Sequence, residues 1–508
     1  MISTSDDIVI RTSDGAVRGR RTPWGSVFRG IPFAQPPTGE LRLAPPAPTV
    51  PWTGVRDALE PGAASPQPAS RLERVVGPLR LKQSEDCLFL EVWTPGVEGD
   101  HPVMVFLHGG GFSSGTGGQD WYEGTRLAER GVVVVNVNYR VGALGYLYLA
   151  DLADDMSAGN LALLDQLAGL RWVQRNISAF GGDPGRVTLA GQSAGALSTI
   201  AMSGSPFSEG LFQRVILQSP PGGVLPAAAE DATSTAERFL HRLGLRPNQA
   251  ARLRSMPVDR LLSAQVAVAR DSVRFMDPTP PFQLVADGAL VTSDIVGAAE
   301  GRFRSLDVLL GSTHDEGHAF YALDPRVREI VAADAVEVVQ SWYGDGGTEV
   351  YARHAGAMPG ATPGDILSGI ADEHFLDGGV RRLVDWAAHG YVYRFDWHSG
   401  SPFAACHCIE LPFVYGTLHA WREAPMLTGG RPVPMSLVDA VQDAWAAFVH
   451  TGSPRCDALP TWPAHQPGGS AVMRLDDPPL MCAGTAPEPG DAAVFAPSAE
   501  PGHRGYGR

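Results

Sequence analysis

Apolar residues in this chain gather in short unbroken blocks, spaced by stretches with helical periodicity. Val103-Met104-Val105-Phe106-Leu107 runs directly toward Gly109-Gly110-Gly111. Val132 to Val135 follows a helix-like stretch around Tyr122 to Arg130, and Val187-Thr188-Leu189-Ala190 follows another from about Leu161 to Asn176. Arg214 to Gln218, with Val-Ile-Leu at its centre, comes after a third. Strands without a polar face are covered on both sides, which calls for crossover helices and a largely parallel sheet. Val308-Leu309-Leu310 and Tyr391-Val392-Tyr393-Arg394-Phe395 extend the pattern. The predicted class is α/β, a mostly parallel central sheet with helices on both faces.

Nothing between these blocks reads as an interdomain linker, and no solenoid or propeller repeat occurs. The expected organisation is one domain over residues 1–485, with large insertions at about 220–305 and 321–388. Pro36 to Pro51 and Pro61 to Pro68 read as surface turns and loops. Residues 486–508 lack hydrophobic periodicity and read as a flexible tail.

Composition narrows the possible partners. Of 508 residues, 44% are hydrophobic and 19% charged, as in a globular protein. A formal net charge of −15 repels phosphate, so nucleic acid is not an expected partner, and anionic lipid is disfavoured. Met1 to Ile10 carries Asp6 and Asp7 and lacks the basic start and long apolar run of a secretory leader. Gly131 to Ala150 is interrupted by Asn136, Asn138 and Arg140, so it predicts a buried strand and a loop and not a membrane span. Five scattered cysteines, an odd number, suit free thiols in a reducing compartment. The expectation is a cytoplasmic monomer or homodimer.

Chemistry is concentrated where strands end. Gly191-Gln192-Ser193-Ala194-Gly195 follows one predicted strand and opens an apolar helical stretch, Ala194 to Met202. In that context G-x-S-x-G marks a sharp turn that lifts a serine hydroxyl above the sheet, at a helix N-terminus that favours negative charge. Read without its context the motif is only a tight turn. His108-Gly109-Gly110-Gly111-Phe112 follows an earlier strand and lets main-chain N–H groups approach a reacting carbonyl. Gly110, Gly111 and Ala194 are the expected oxyanion donors, each worth about 10²–10³ in rate. A phosphate loop is the competing reading, but neither G-x-x-x-x-G-K-[ST] nor a G-x-G-x-x-G helix start is present.

A serine nucleophile needs a base, usually histidine, oriented by a carboxylate. In the α/β-hydrolase order of Ser, acid, His, the acid falls on the loop Gly311-Ser312-Thr313-His314-Asp315-Glu316-Gly317. Asp315 and Glu316 are both able to reach. His407, beyond the strand ending at Phe395, fits the base; His398 sits at the strand end, and His419 and His450 fall in helical stretches.

Together these residues resemble the type-B carboxylesterase and cholinesterase family, most closely its bacterial p-nitrobenzyl esterase members. The likeness runs from about Val9 to Met481. It includes Phe28-Arg29-Gly30-Ile31-Pro32-Phe33-Ala34, Ser84-Glu85-Asp86-Cys87-Leu88, Asn138-Tyr139-Arg140-Val141-Gly142, Phe180-Gly181-Gly182-Asp183-Pro184 and the run from His407 to Gly416. The resemblance implies the α/β-hydrolase fold and a triad of Ser193, Glu316 and His407, with Glu316 chosen over Asp315. It implies oxyanion glycines at Gly110 and Gly111 and a salt bridge between Arg42 and Glu85.

Three departures stand out. Gln192 replaces the family's usual glutamate before the nucleophile, so cationic alcohols should be held less well. Ser65 stands where the family's N-terminal disulfide would find a partner for Cys87. No tryptophan lies between Ser65 and Asp86, where cholinesterases carry a cation-binding one.

The implied activity is hydrolysis of small to medium, neutral carboxylic esters through a serine acyl-enzyme, with no cofactor. Carbamate or amide cleavage and a non-catalytic binding role are the alternatives. Cys406-His407-Cys408 offers two thiols and an imidazole but no fourth ligand, so no metal is expected.

Overall fold

The computed structural model describes residues 7–153, 159–377 and 379–482. Thirteen strands form one sheet among these residues: β1 (Asp7–Arg11), β2 (Ala16–Thr22), β3 (Gly25–Pro32), β4 (Val55–Asp57), β5 (Phe89–Thr94), β6 (His101–Leu107), β7 (Val133–Val137), β8 (Gly182–Gln192), β9 (Arg214–Gln218), β10 (Asp307–Thr313), β11 (His389–Phe395), β12 (Val472–Leu475) and β13 (Leu480–Cys482). Their order is β1-β2-β3-β5-β7-β6-β8-β9-β10-β11-β12-β13, with β4 beside β2. From β7 to β12 every neighbouring pair is parallel. The N-terminal strands and β13 pair antiparallel at the two edges, apart from the parallel β2–β4 contact.

The apolar blocks of the central strands are buried because each face is covered. Val103, Val105, Val133, Val135, Val187 and Leu189 pack into one core layer with Leu163, Leu167 and Leu170 of the helix Leu161–Asn176. Met104, Phe106, Val132, Val134 and Ile216 pack into the other with Val441, Ala444, Trp445 and Phe448 of the helix Met435–Thr451. Burying one such valine or leucine contributes roughly 1.5–3 kcal/mol, so a charge in any of these strands would cost most of the domain's margin.

The insertions are helical. Residues 220–305 contain the helices Ala229–Arg242, Val258–Asp271 and Ile295–Phe303, and residues 321–388 contain Ala332–Tyr343, Gly347–Ala357 and Pro363–Ala371, followed by a π-helical stretch Asp372–Asp377. Tyr351, Val339, Leu367 and Ile370 form a separate small core there.

Three differences from the sequence reading have physical causes. Ala64, Ser65 and Gln67, expected in a surface loop, are buried, because Gln67 bridges its own turn to Gly115 beside the glycine loop. The N-terminal strands β1 and β2 escape the pattern because polar residues, among them Arg11, Arg18, Arg20 and Arg21, break up their apolar runs. In Gly131 to Ala150 the strand is present, and a helical turn, Ala143–Tyr146, follows it. Two of its polar side chains are held by specific partners: the Asn136 amide nitrogen donates to Tyr122 O (2.7 Å), and the Arg140 guanidinium is paired with Asp165 (2.7 Å). No helix of the described residues is long and apolar enough to cross a membrane. The tail 486–508 lies outside the described residues.

Candidate active site

Every element of the candidate site hangs from the carboxyl end of a central strand. The chain turns from β8 into the helix Ala194–Ser203 at Ser193, whose φ of 56° and ψ of −125° no ordinary turn residue adopts cheaply. The Ser193 N–H donates to Gln218 O at the end of β9 (2.8 Å), which holds the turn in place. Gly195 is required because a Cβ there would lie 2.1 Å from Leu107 O at the end of β6. Ser193 retains 9% of its surface.

After β6, the chain bends through Gly110 (φ 122°) and Gly111 (φ 58°). A Cβ on Gly110 would sit 2.0 Å from Ser114 O, so only glycine allows the loop to fold back on itself. The main-chain N–H groups of Gly110, Gly111 and Ala194 find no protein acceptor among the described residues. His108, buried and stacked on Tyr139 (4.1 Å between rings), stiffens the base of the loop. Burial holds its pKa down at about 4, so this imidazole stays neutral.

The acid loop follows β10, and the histidine loop follows β11. Glu316 Oε2 lies 2.5 Å from His407 Nδ1, and its other oxygen accepts the Thr313 N–H (2.8 Å). A carboxylate only accepts, so Nδ1 carries the proton and Nε2 presents its lone pair. Asp315 points elsewhere: it pairs with His314 (2.9 Å) and accepts the Ala405 N–H (3.1 Å). Burial works against its charged form, but His314 and its other partners prevail and bring its pKa down to about 2. The two adjacent carboxylates are thus committed to different histidines.

His407 is almost wholly enclosed. Burial pushes its imidazole toward neutrality, yet Glu316 and, more weakly, Glu410 outweigh it, so its pKa is raised above the ordinary 6.5. Glu410 is itself buried, with one oxygen accepting from Gln218 Nε2 (3.2 Å) and the other unpartnered. Burial and then the nearby Glu316 raise it to about 7.

The structure brings Glu316 and His407 together, but the neighbour at His407 Nε2 is Gln192. Its amide nitrogen stands 3.2 Å from Nε2 and donates to Cys408 Sγ at 3.4 Å. No hydrogen bond joins Ser193 Oγ to the imidazole in this arrangement. Cys406 and Cys408 are buried thiols, held protonated by that burial.

The Arg42–Glu85 pair is present and bidentate (2.5 and 2.6 Å), and Arg42 also donates to Leu253 O and Met256 O. Sequence reasoning passed over Glu410, which lay within the run that begins at His407.

A parallel sheet with this switch in strand order and these loops at its carboxyl ends defines an α/β-hydrolase. Residues 6–488 match the Carboxylesterase family. The chain is 35% identical to a phenmedipham hydrolase of Pseudarthrobacter oxydans, over 90% of this chain and 91% of that one. It is also 35% identical to the para-nitrobenzyl esterase of Bacillus subtilis, over 92% and 94%. The carboxylesterase EST55 of Geobacillus stearothermophilus superposes with a TM-score of 0.85 at 33% identity, covering 96% of this chain and 99% of that one. The chain belongs to the carboxylesterase family, and with it to the serine carboxylesterases.

Proposed function

We propose that the enzyme hydrolyses small to medium carboxylic esters with Ser193 as nucleophile, His407 as general base and Glu316 as the carboxylate that orients it. The observation that carries this reading is the buried 2.5 Å contact between Glu316 and His407 Nδ1, beside a serine held on a strained strand-to-helix turn. Ser193 Oγ attacks the ester carbonyl while its proton passes to His407 Nε2. For that, the Gln192 amide must yield its place at the nitrogen. The N–H groups of Gly110, Gly111 and Ala194 receive the developing oxyanion. His407 then protonates the leaving alcohol, and a water molecule repeats the sequence on the acyl-enzyme to release the acid.

Ser193→Ala is expected to lower p-nitrophenyl ester turnover by about 10⁴-fold or more while leaving the melting temperature unchanged. Turnover near the wild-type rate would overturn the assignment. Similarity to a phenmedipham hydrolase favours carbamate or amide cleavage as a second activity of the same groups. Turnover of a matched ester, carbamate and anilide separates the two. The reading extends to one catalytic domain over residues 1–485, acting in the cytoplasm as a monomer or homodimer without nucleic acid. Five free cysteines support the compartment.

A further inference from the structure

The Arg71 guanidinium stands beside the glycine loop, and no carboxylate of the described residues forms an ion pair with it. Arg71 Nη2 lies 3.3 Å from the position a Cβ would take on Gly111, so the absence of a side chain there leaves room for the guanidinium. The guanidinium donates to Pro278 O (3.0 Å). No carboxylate among the described residues comes within ion-pair distance. Asp277 and Tyr321 are near enough to act on its charge, but Asp277 accepts the Thr279 N–H (2.9 Å) and the Tyr321 hydroxyl donates to Met276 O (3.1 Å). Arg71 is solvent-exposed by surface yet hemmed in by protein, which lowers its pKa from the ordinary value without removing the charge.

Arg71 stands near the groups proposed to react. Tyr321 ends the short helix His318–Tyr321 that follows Glu316, and its neighbour Phe320 packs its ring 5.6 Å from that of His407. Gly109, two residues before Gly111, approaches Ser193, with a Cβ there falling 3.0 Å from the serine's own. Arg71 and Ser193 thus both adjoin the same three-glycine loop, at Gly111 and Gly109 respectively.

A guanidinium offers a planar fork matched to a carboxylate, and a partly enclosed one holds such a pair more firmly than one in open water. Resting on the ester-hydrolase reading, we propose that Arg71 is a carboxylate-binding subsite, and that the preferred substrates are esters bearing a free carboxylate a few atoms from the scissile carbonyl. The chain's net charge of −15 would oppose such substrates at long range. Salt screens that field over about 8–10 Å, whereas contact with Arg71 is local.

The test compares pairs that differ in the carboxylate, followed by acid release: monomethyl glutarate against methyl valerate for the acyl side, and 3-acetoxybenzoate against phenyl acetate for the alcohol side. In the wild type, at least one carboxylate ester should surpass its neutral counterpart in kcat/KM. Arg71→Gln should lower kcat/KM for that ester by about 10- to 100-fold, mainly through KM, and change the neutral ester less than about twofold. Arg71→Lys, which keeps the charge but not the fork, should recover part of the loss. A wild type without preference for either carboxylate ester, or an Arg71→Gln variant that loses both members of a pair equally, overturns the subsite. If neutral esters are still turned over, the esterase reading stands; if the wild type hydrolyses none of the four esters, that reading falls as well.

Discussion

At the residue scale the informative position is Gln192. A neutral amide there donates toward His407 Nε2, so it favours the neutral imidazole that the proposed mechanism needs, while competing with the Ser193 hydroxyl for the same lone pair. His407 already has a raised pKa: burial acts against the charged ring, and Glu316 more than offsets it. With His407 as the proposed base, only the neutral ring accepts the Ser193 proton, so kcat/KM should fall as pH drops through a midpoint above the ordinary 6.5. Gln192→Glu places a second carboxylate against the ring, stabilises the imidazolium, and should move that midpoint up by about 1 pH unit or more. A pH–rate profile of the variant that overlies the wild type would mean the amide does not face the base in solution. Asp315 and Glu316 make the complementary point. Chemistry alone could not choose between them; in the folded loop Asp315 pairs with His314 and Glu316 with His407, which supports the proposed role of Glu316.

At the scale of elements, the segment from residue 64 to 87 shows how one substitution changes a local design. Ser65 packs beside the Cys87 thiol; both line a small gap with Arg42, Glu85 and Arg140. Burial raises the thiol's pKa, which keeps it unreactive. The family resemblance places a disulfide there, and the structure leaves the two side chains adjacent. Ser65→Cys is expected to form that bond under oxidising conditions and to raise stability by about 3 kcal/mol, as loop-closure entropy for such a span gives. Thiol titration under denaturing conditions should find two fewer thiols in the oxidised variant than in the same variant after reduction. An unchanged thiol count, or a melting temperature indifferent to reductant, would show that the geometry does not permit it.

At the scale of the whole molecule, the helical insertion at 220–305 is joined to the sheet by a few long-range polar ties. Arg42 is the clearest, holding Glu85 with two bonds and the carbonyls of Leu253 and Met256 with others. Removing one partner of a mostly buried pair strands the other, and Arg42→Ala should cost about 3 kcal/mol. Urea unfolding checks this: the midpoint should fall at unchanged slope, with turnover per folded molecule preserved because Arg42 does not touch the reacting groups. A midpoint matching the wild type would reduce the pair to an ordinary surface contact.

Much of this protein was legible from residue order. The central strands announced themselves because burial on both faces demands unbroken apolar blocks, and Arg214–Gln218 and Leu161–Asn176 fall where the pattern puts them. The serine turn and glycine loop were legible because close backbone approach admits so few residue types. What the chain could not declare is which side chains meet. That Glu316 faces His407 while Asp315 faces His314, that Gln192 occupies the imidazole's free nitrogen, and that Arg71 reaches the oxyanion loop from a patternless segment all depend on distant loops converging at one end of the sheet. Periodicity records burial, a local property; contact across tens or hundreds of residues is decided only when the strands take their order.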